Sequence, residues 1–579
     1  MRHLTVVYLL GIFMVILPLL YERYNGVYYF VPFFLTLFVS ITLFIWLGLH
    51  KRIYRLMCNG VDILFTALIL WGGFSRTFVN PSPINPLLYW NWATLLLIYA
   101  IVRAQSVTGR YILMYAWVAG GWLQSIIGIL QILEITPSNH GLFPLTGSFF
   151  NPGPYGGYMA LSAVIGGGLF LQAIKQQKFK NAILWGIILL PIGWMLFLSD
   201  SRAAWLAALS GFSFLLLKKS GIRHFKLTSV IAICLIGLLA GGLYFYKKGS
   251  ADARLLIWRA SWELFTERPL IGHGVATFAT RYPDAQREYL RTHSNSPLAA
   301  YADSNHQAFN EPIRLTCEQG LIGLFGMLSI GWLVFRRSRD SMRQSITKAG
   351  LVTFAVFSCF SYPMEIFPLK VGLVILLAMI HLRPVKILYI SFKLKKIILC
   401  ALCCITIGAI FSGIKYWHTA TKLDQMIMRP GNAPSMELKE NPLVIADPEF
   451  AWKYVMYLYT NNQHNECAEI FPKYLAHIKT PETLCCLGNT YINIKRYTDA
   501  ENCFIEASQI VPRRIIPQYC LFVLYCRMKD QTRATRTAKT LLSFPVKNVN
   551  SKVIHIRGEA RKFLNGDNTS STNIETTHH

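Results

Sequence analysis

The sequence predicts an all-α, polytopic membrane protein with about 13 transmembrane helices, a large loop between two of them, and a soluble C-terminal helical-repeat domain. Of the 579 residues, 53% are hydrophobic and only 15% are charged, whereas a soluble protein carries about 25% charged residues. The apolar residues form runs such as 28–49, 111–133 and 227–246. Each run is long enough to cross a bilayer, which needs about 20 residues.

The apolar runs place the predicted spans along the chain. They are roughly 4–21, 28–49, 60–74, 86–102, 111–133, 155–174, 182–198, 202–217, 227–246, 317–335, 348–362, 366–382 and 397–415. The first run has no small-x-small cleavage site behind it, so we interpret it as a retained helix rather than a signal peptide. Lysine and arginine fall in every second short loop, which is typical of cytoplasmic loops and places the N-terminus in the cytoplasm.

Two larger segments then lie on the periplasmic side of a bacterial inner membrane: the loop 247–316 and the C-terminal domain. The predicted domains are a transmembrane domain over 1–415, a linker over 416–446, a helical domain over 447–565 and a polar, disordered tail over 566–579. Because much of the net charge of +28 sits in short loops, it indicates contact with membrane lipids and not with nucleic acid.

The segment that begins at Pro481 resembles a tetratricopeptide repeat. The residues at the family's spacing are Leu484, Leu487, Gly488, Tyr491, Ala500, Phe504, Ala507 and Pro512. Small residues at 488 and 500 predict two closely packed helices, with Phe504 between them and Pro512 ending the second. Degenerate neighbours extend the pattern to about three repeats over 447–545. Such arrays bind peptides or proteins; the alternative is a packing module.

Six of the 13 cysteines lie in the C-terminal domain, and none of them forms a CxxC motif. They are Cys467, Cys485, Cys486, Cys503, Cys520 and Cys526. Zinc or thioredoxin-like chemistry is therefore not indicated. In an exported domain some of them would pair, but the preferred interpretation is that they fill helix-packing positions.

The candidate functional residues lie at the predicted outer ends of spans. Asn151 stands in a glycine-rich segment before the sixth span; the alternative is a re-entrant turn of packing glycines. Arg202 lies between two apolar runs, either as a bidentate anion ligand or as a snorkelling arginine. Arg254, Trp258 and Trp262 recur at i, i+4 and i+8, which predicts one helix stripe, aimed at a phosphate or lying at the membrane interface.

The segment 303–327 contains the remaining candidates. Asn310 is a predicted helix N-cap, and Arg314 and Glu318 are one helical turn apart, as an anion site or as a simple ion pair. His306 is a candidate general base; a solvated loop histidine is the alternative. The chain lacks GxxxxGK[ST], HExxH and GxSxG motifs, so nucleotide-, zinc- and serine-dependent chemistry is not indicated.

Four motifs in order, GSFFNPGPYGGYMA, SDSRAAWLA, ARLLIWRASWELFTERPLIGHGVATF and FNEPIRLTCEQGLIG, resemble the O-antigen ligase-like membrane family. This family also includes polysaccharide polymerases and bacterial protein O-oligosaccharyltransferases. The resemblance covers about 140–335 directly, and the hydropathy extends it over 1–415. It implies transfer of a whole glycan from a polyprenyl diphosphate, without metal or other cofactor, at the periplasmic face.

The resemblance also implies roles for single residues. Arg202 and Arg254 match the arginines that engage the diphosphate, and Arg314 is grouped with them as a third candidate. The family's ligases carry a histidine nine residues before the glutamate that Glu318 matches, and here that position is Phe309. His306, Glu311 or another group is left as the general base, with Glu318 as a further catalytic candidate.

The predicted function is therefore transfer of a glycan from undecaprenyl diphosphate to an acceptor protein or lipid. A protein Ser/Thr acceptor is favoured, because the C-terminal domain resembles a peptide-binding array. The alternatives with the same chemistry are a lipid A-core O-antigen ligase and a surface-polysaccharide polymerase. The alternatives of other classes are a transporter of lipid-linked sugars and a membrane-anchored scaffold.

Overall fold

The computed structural model describes most of the chain. The described residues are 2–21, 38, 41–42, 54–79, 85–219, 237, 241–293, 295–336, 341–390, 392–428, 436–475, 478–546 and 549–566. They form two compact units, of which the first comprises 1–75, 86–247 and 309–417, and the second comprises 76–85, 248–308 and 418–579. Helices dominate both units, which confirms the predicted all-α class.

The first unit is a bundle of apolar helices. They are α1 (Arg2–Ile16), α2 (Gly60–Phe74), α3 (Pro86–Ala104), α4 (Val107–Ile132), α5 (Pro152–Lys175), α6 (Phe179–Leu198), α7 (Arg202–Lys219), α10 (Glu311–Phe335), α11 (Met342–Phe360), α12 (Phe367–Met379) and α13 (Phe392–Met428). These correspond to eleven of the predicted spans. The predicted spans 28–49 and 227–246 lie largely outside the described residues. Among those described, seven helices are long and apolar enough to cross a membrane.

Helix α5 lies in the core of this bundle, and most of its residues are buried. Its glycines allow neighbouring helices to approach closely. A Cβ atom at Gly157 would lie 2.4 Å from the Phe357 ring of α11, and one at Gly167 would lie 2.4 Å from the Phe212 ring of α7. Real Cβ atoms do not approach so closely, so α5 packs against α7 and α11 only because these positions lack a side chain.

The structure also contains two short strands, which the sequence analysis did not predict. Strand β1 (Tyr54–Cys58) pairs antiparallel with β2 (Lys386–Ile390). Both strands lie in loops that the charge pattern places in the cytoplasm. Their pairing requires these two loops to share one side of the membrane, which agrees with the alternation of basic loops.

The second unit joins the large loop to the C-terminal domain. The loop contributes α8 (Lys248–Glu267) and α9 (Phe278–Thr292). The C-terminal domain contributes two short helices and seven longer ones: α14 (Met436–Lys439), α15 (Pro442–Ala446), α16 (Pro448–Thr460), α17 (His464–Leu475), α18 (Pro481–Asn493), α19 (Tyr497–Ile510), α20 (Ile515–Arg527), α21 (Gln531–Ser543) and α22 (Ser551–Leu564). Helices α16 to α21 form three successive pairs, and α22 packs against α21.

The pair α18–α19 contains the best predicted repeat. A Cβ atom at Gly488 would lie 2.3 Å from Phe504 Cε1, and Ala500, Phe504 and Ala507 are fully buried. The predicted close packing of these helices is thus present. The helical nature of the domain is established, and its membership of the tetratricopeptide class stays a prediction.

The described helices add detail at two predicted boundaries. Within the predicted linker 416–446, α13 continues to Met428, and α14 and α15 occupy 436–439 and 442–446. Helix α13 extends past its apolar run because no glycine or proline occurs in residues 416–429, between that run and Pro430. The large loop ends at Asn310, the N-cap of α10, and its residues 248–308 belong to the same compact unit as the C-terminal domain. Beyond Gly566 the predicted disordered tail lies outside the described residues.

The six cysteines of the C-terminal domain are free thiols in the structure. Cys467 and Cys486 are almost fully buried. Burial raises the pKa of Cys467 to about 11 and the pKa of Cys486 to about 12, since the apolar surroundings disfavour a thiolate. These values support the interpretation of the cysteines as packing residues, because a thiol in its neutral form is neither a good nucleophile nor a metal ligand.

The raised thiol pKa values predict a loss of stability at alkaline pH. The contribution of each buried thiol to stability is complete below the unfolded thiol pKa of about 8.5 and falls as the pH rises towards 11 or 12. By pH 10, each thiol has lowered the free energy of unfolding by about 2 kcal/mol. Far-UV circular dichroism of the purified protein should show a lower unfolding temperature at pH 10 than at pH 8. Cys486→Ala should weaken this pH dependence, whereas Cys400→Ala, at an exposed thiol, should leave it as in the wild type.

Candidate functional site

Asn151 is the first candidate site residue of the first unit, and it is the N-cap of α5. Its Oδ1 atom accepts a hydrogen bond of 2.9 Å from the backbone N–H of Gly153. Just upstream, Gly147 has a φ of +56°, and a Cβ atom there would lie 2.5 Å from the Tyr155 ring. The glycine-rich segment is therefore a tight turn that starts the central helix, and Asn151 fixes where that helix begins.

Arg202 lies in the first turn of α7, directly behind the turn at Asp200, whose φ is +49°. Its Nη1 atom donates to the carbonyl oxygens of Leu243 (2.5 Å) and Lys247 (3.4 Å). Asp200 forms an ion pair with the Lys247 ammonium. Within the described part of the chain, Nε and Nη2 of Arg202 have no hydrogen-bond partner, so one edge of the guanidinium is anchored and the other is available to an anion.

Arg254 belongs to the second unit and lies on α8, one turn before Trp258. The Trp258 Nε1–H donates to the carbonyl oxygen of Ala308 at 3.0 Å. Ala308 is two residues past His306, whose side chain is exposed. The three residues of the predicted stripe on α8 differ in their surroundings. Trp258 holds the segment with His306 against the helix that carries Arg254. The side chain of Trp262 is 62% exposed.

A cluster of charged side chains lies at the start of α10. Asn310 caps this helix, with Oδ1 accepting from the N–H of Ile313 at 3.0 Å, as predicted. Glu311 is buried and accepts from Arg314 Nε and from the N–H of Met364, both at 2.8 Å. Arg314 also forms an ion pair with Glu365. The Arg314 guanidinium is therefore held between two carboxylates.

Glu318 is buried one turn beyond Arg314 and contributes to its electrostatic surroundings. Helix α10 is kinked at Gly320, where φ is +64° and ψ is −164°, a conformation that is essentially restricted to glycine. The Trp71 Nε1–H of α2 donates to the carbonyl oxygen of Gln319 at 3.3 Å. The spacing of Glu318 and Gly320 thus places a buried carboxylate at the last turn before a kink.

Gly320→Ala is expected to destabilise the protein by about 1–3 kcal/mol and to move Glu318, since alanine does not tolerate this φ and ψ. The thermal midpoint in detergent and the rate of the protein's reaction measure the two effects. Gly331→Ala is the control in the same helix, because a Cβ atom there would have no neighbour within 4 Å. If the two variants had the same thermal midpoint and the same reaction rate, the kink at Gly320 would have no functional role.

Phe309 occupies the position at which a histidine is common in the resembling family. Its φ is +49°, which is unusual for a residue with a bulky side chain. The Phe309 ring packs edge-on against Tyr362, with 5.3 Å between the ring centroids. Phe309 is therefore a packing residue beside the charged cluster, and it carries no group that accepts a proton.

The structure brings Glu311, Arg314 and Glu318 together and adds two residues that sequence reasoning missed. Glu365 follows Pro363 in a short 3-10 turn, and Lys370 lies in the first turn of α12. Lys370 is close enough to Glu365, Arg314, Glu311 and Glu318 to interact with them electrostatically. A lysine inside the apolar run 366–382 was the available signal, since charged residues within spans are costly.

Arg202 and the Glu311 cluster belong to the first unit, and Arg254 and His306 belong to the second. No group of three or more His, Cys, Asp or Glu side chains with metal-binding geometry occurs in the described ranges. The arrangement offers guanidinium groups for an anion and carboxylates or a histidine for proton transfer.

The fold and these residues define a polytopic membrane protein with charged groups at helix ends, joined to a helical domain. Residues 186–328 match the model of a family described as O-antigen ligase. This match confirms the predicted resemblance to an O-antigen ligase-like family and supports glycan ligation in general. The match includes Arg202, Arg254, His306, Glu311, Arg314 and Glu318. No curated protein matches the chain.

Proposed function

We propose that this protein transfers a preassembled glycan from undecaprenyl diphosphate to an acceptor at the periplasmic face of the inner membrane. The match of residues 186–328 to the O-antigen ligase family carries this proposal, because that family ligates glycans that are supplied on lipids. The matched segment holds most of the charged groups discussed above.

In the proposed reaction the arginines stabilise the leaving group. A diphosphate gains negative charge as the bond to the sugar breaks, and guanidinium groups neutralise that charge without a metal ion. Arg202 is suited to this role because Nε and Nη2 have no partner among the described residues, while Nη1 is fixed by Leu243 and Lys247. Arg254 supplies a second guanidinium from α8.

Arg314 has a different role in this proposal from the one predicted. Its guanidinium pairs with Glu311 and Glu365, so it orders these carboxylates and is not directed at the diphosphate. The acceptor hydroxyl loses its proton to a base, for which His306, Glu311 and Glu365 are the candidates. Glu365 is the more accessible of the two carboxylates, with 38% of its side chain exposed against 8% for Glu311.

The favoured acceptor is a Ser/Thr side chain of a periplasmic protein. The helix pairs of the C-terminal domain, with the close contact of Gly488 and Phe504, support a repeat array of the kind that binds peptides. A lipid A-core ligase or a polysaccharide polymerase is the second candidate, favoured by the description of the matched family.

In vitro transfer tests the proposal and separates these candidates. The purified protein is mixed with a lipid-diphosphate glycan and, in parallel, with a Ser/Thr-containing periplasmic protein, with lipid A-core, or with no acceptor. Glycan on the protein establishes an O-oligosaccharyltransferase. Glycan on lipid A-core or growth of the donor itself identifies a ligase or a polymerase. Donor binding without any transfer would overturn the enzymatic proposal in favour of a transporter.

The periplasmic placement rests on charge and on the second unit. Helix α9 of the loop packs against helix α19 of the C-terminal domain, which is called the tail from here on. Because both helices belong to one compact unit, the loop and the C-terminal domain share one side of the membrane. Four helices, α10 to α13, lie between them in the chain, and an even number of crossings returns the chain to the same side. A reporter enzyme that works only in the periplasm, fused behind Asn565, should be active; an inactive fusion would reverse the orientation.

A further inference from the structure

The segment 302–308, called the strap here, connects the 3-10 turn Pro297–Tyr301 to α10 and has no regular secondary structure. It carries His306. At its C-terminal end, the Ala308 carbonyl accepts the hydrogen bond from Trp258 of α8. At its N-terminal end, Asp303 and Ser304 contact the C-terminal domain. His306 therefore lies between two anchors, one of which belongs to the tail.

Gln286 of the loop forms the first connection between the strap and the C-terminal domain. This residue of α9 is fully buried, and its side-chain amide forms three hydrogen bonds. Its Oε1 accepts from the Tyr282 hydroxyl at 2.7 Å, and its Nε2 donates to the carbonyl oxygens of Asp303 (3.2 Å) and Ile510 (2.8 Å). The Ile510 carbonyl is at the end of α19, where helix carbonyls lack internal partners. One amide thus joins the loop, the strap and the tail.

Arg514, in the short connection between α19 and α20, forms the second connection between the strap and the C-terminal domain. Its Nη1 donates to Ser304 Oγ at 3.0 Å and lies 3.9 Å from Asp303 Oδ1. The same guanidinium forms an ion pair with Glu482, which also accepts from Ser304 Oγ at 3.3 Å. These bonds tie the strap's first residues to α18 and to the connection behind α19.

Further ion pairs fix α9 on the tail beside these two connections. The Lys479 ammonium lies 2.9 Å from Asp284 and 2.5 Å from Glu506, and Arg287 lies 2.8 Å from Glu506. At this interface, each segment therefore contributes both an acidic and a basic side chain, and each of them pairs with an opposite charge on the other segment. Such a pattern fixes one register of α9 against α18 and α19, because a shift would place like charges together.

We propose that Gln286 and Arg514 are positioning residues, through which the C-terminal domain fastens the strap and sets the placement of His306. This inference rests on the proposed function only where it concerns transfer; the fastening itself is a property of the second unit. It gives the tail a part in catalysis that differs from acceptor binding, since the tail acts through the strap.

Hydrogen exchange of the full-length protein in detergent tests the fastening without any reaction. Arg514→Ala is expected to speed exchange of the backbone amides of 303–307 at least tenfold. Arg533→Ala is the matched control, because Arg533 makes comparable ion pairs with Glu501 (3.0 Å) and Asp530 (2.6 Å) elsewhere in the tail. Unchanged exchange of the strap in Arg514→Ala would overturn the proposal.

Transfer kinetics test the positioning. Arg514→Ala is expected to lower kcat about tenfold to a hundredfold with unchanged affinity for the lipid-linked donor, and Arg533→Ala should behave as wild type. Joining Ser304→Cys to Glu482→Cys with a short bis-thiosulfonate reagent in the Arg514→Ala background should restore kcat, with reagent-treated Arg514→Ala as the control. Faster strap exchange with full activity, or no rescue by the cross-link, would refute positioning. A wild type without any transfer would refute the proposed function and leave the exchange result standing.

Discussion

Replacing Arg202 or Arg254 by alanine is expected to lower glycan transfer by about a thousandfold, with normal amounts of protein in the membrane. In the proposed reaction, each substitution removes a guanidinium from the diphosphate leaving group, where charge develops in the transition state. Lysine at position 254 should restore only part of the activity, because an ammonium group cannot donate two parallel hydrogen bonds to one phosphate. Transfer assays on purified variants, with protein quantified by immunoblot, measure the effect.

The control for these arginines is Arg291→Ala. Arg291 is 72% exposed on α9 and pairs with Glu288 at 2.6 Å. Its loss should change transfer less than twofold, since exposed ion pairs contribute little. Full transfer by Arg202→Ala or Arg254→Ala would refute the proposed role of that arginine at the diphosphate.

Replacing Arg314 by alanine is expected to destabilise the transmembrane unit by about 3–5 kcal/mol, the usual cost of leaving a buried charge without its partner. Among the described residues, Glu311 would keep only the N–H of Met364 as a donor. The double variant Glu311→Ala/Arg314→Ala should lose less than the sum of the two single variants, because neither charge is left alone. Unfolding by SDS in mixed micelles measures the three free energies.

Arg496→Ala is the matched control for this experiment. Arg496 pairs with Asp499 at the same i, i+3 spacing as Arg314 with Glu311, but on an exposed surface of the tail. Its loss should lower the free energy of unfolding far less than the loss of Arg314 does, because exposed ion pairs contribute little. If Arg314→Ala keeps its stability and instead loses donor affinity, the predicted role of Arg314 as a diphosphate ligand is correct, and its role as an organiser of carboxylates is wrong.

Several features of this protein follow from local sequence. Apolar runs predicted eleven helices because about 20 apolar residues in series have few stable alternatives in a membrane. Asn310 was identified as a helix N-cap because its side chain needs only the N–H groups of the next residues. Gly488 was identified as a close-packing position because its partner Phe504 lies in the adjacent helix of one hairpin.

Other features depended on residues far apart in the chain. Glu365 meets Arg314 across 51 residues, and the sequence offers no signal for that pairing. Lys370 belongs to the same cluster, although it lies in an otherwise apolar run. The strands β1 and β2 pair across more than 300 residues, so a prediction from local patterns treated both as loops.

By itself, the sequence determined the all-α membrane class, the helical C-terminal domain and the resemblance of residues 186–328 to the O-antigen ligase family, since each rests on hydropathy or on motifs with fixed spacing. Only the tertiary structure decided that Arg314 is held by two carboxylates and that the loop joins the tail through Gln286 and Arg514. The reason is physical: periodicity and motifs record local contacts, whereas the partner of a charged side chain is fixed when distant segments pack together.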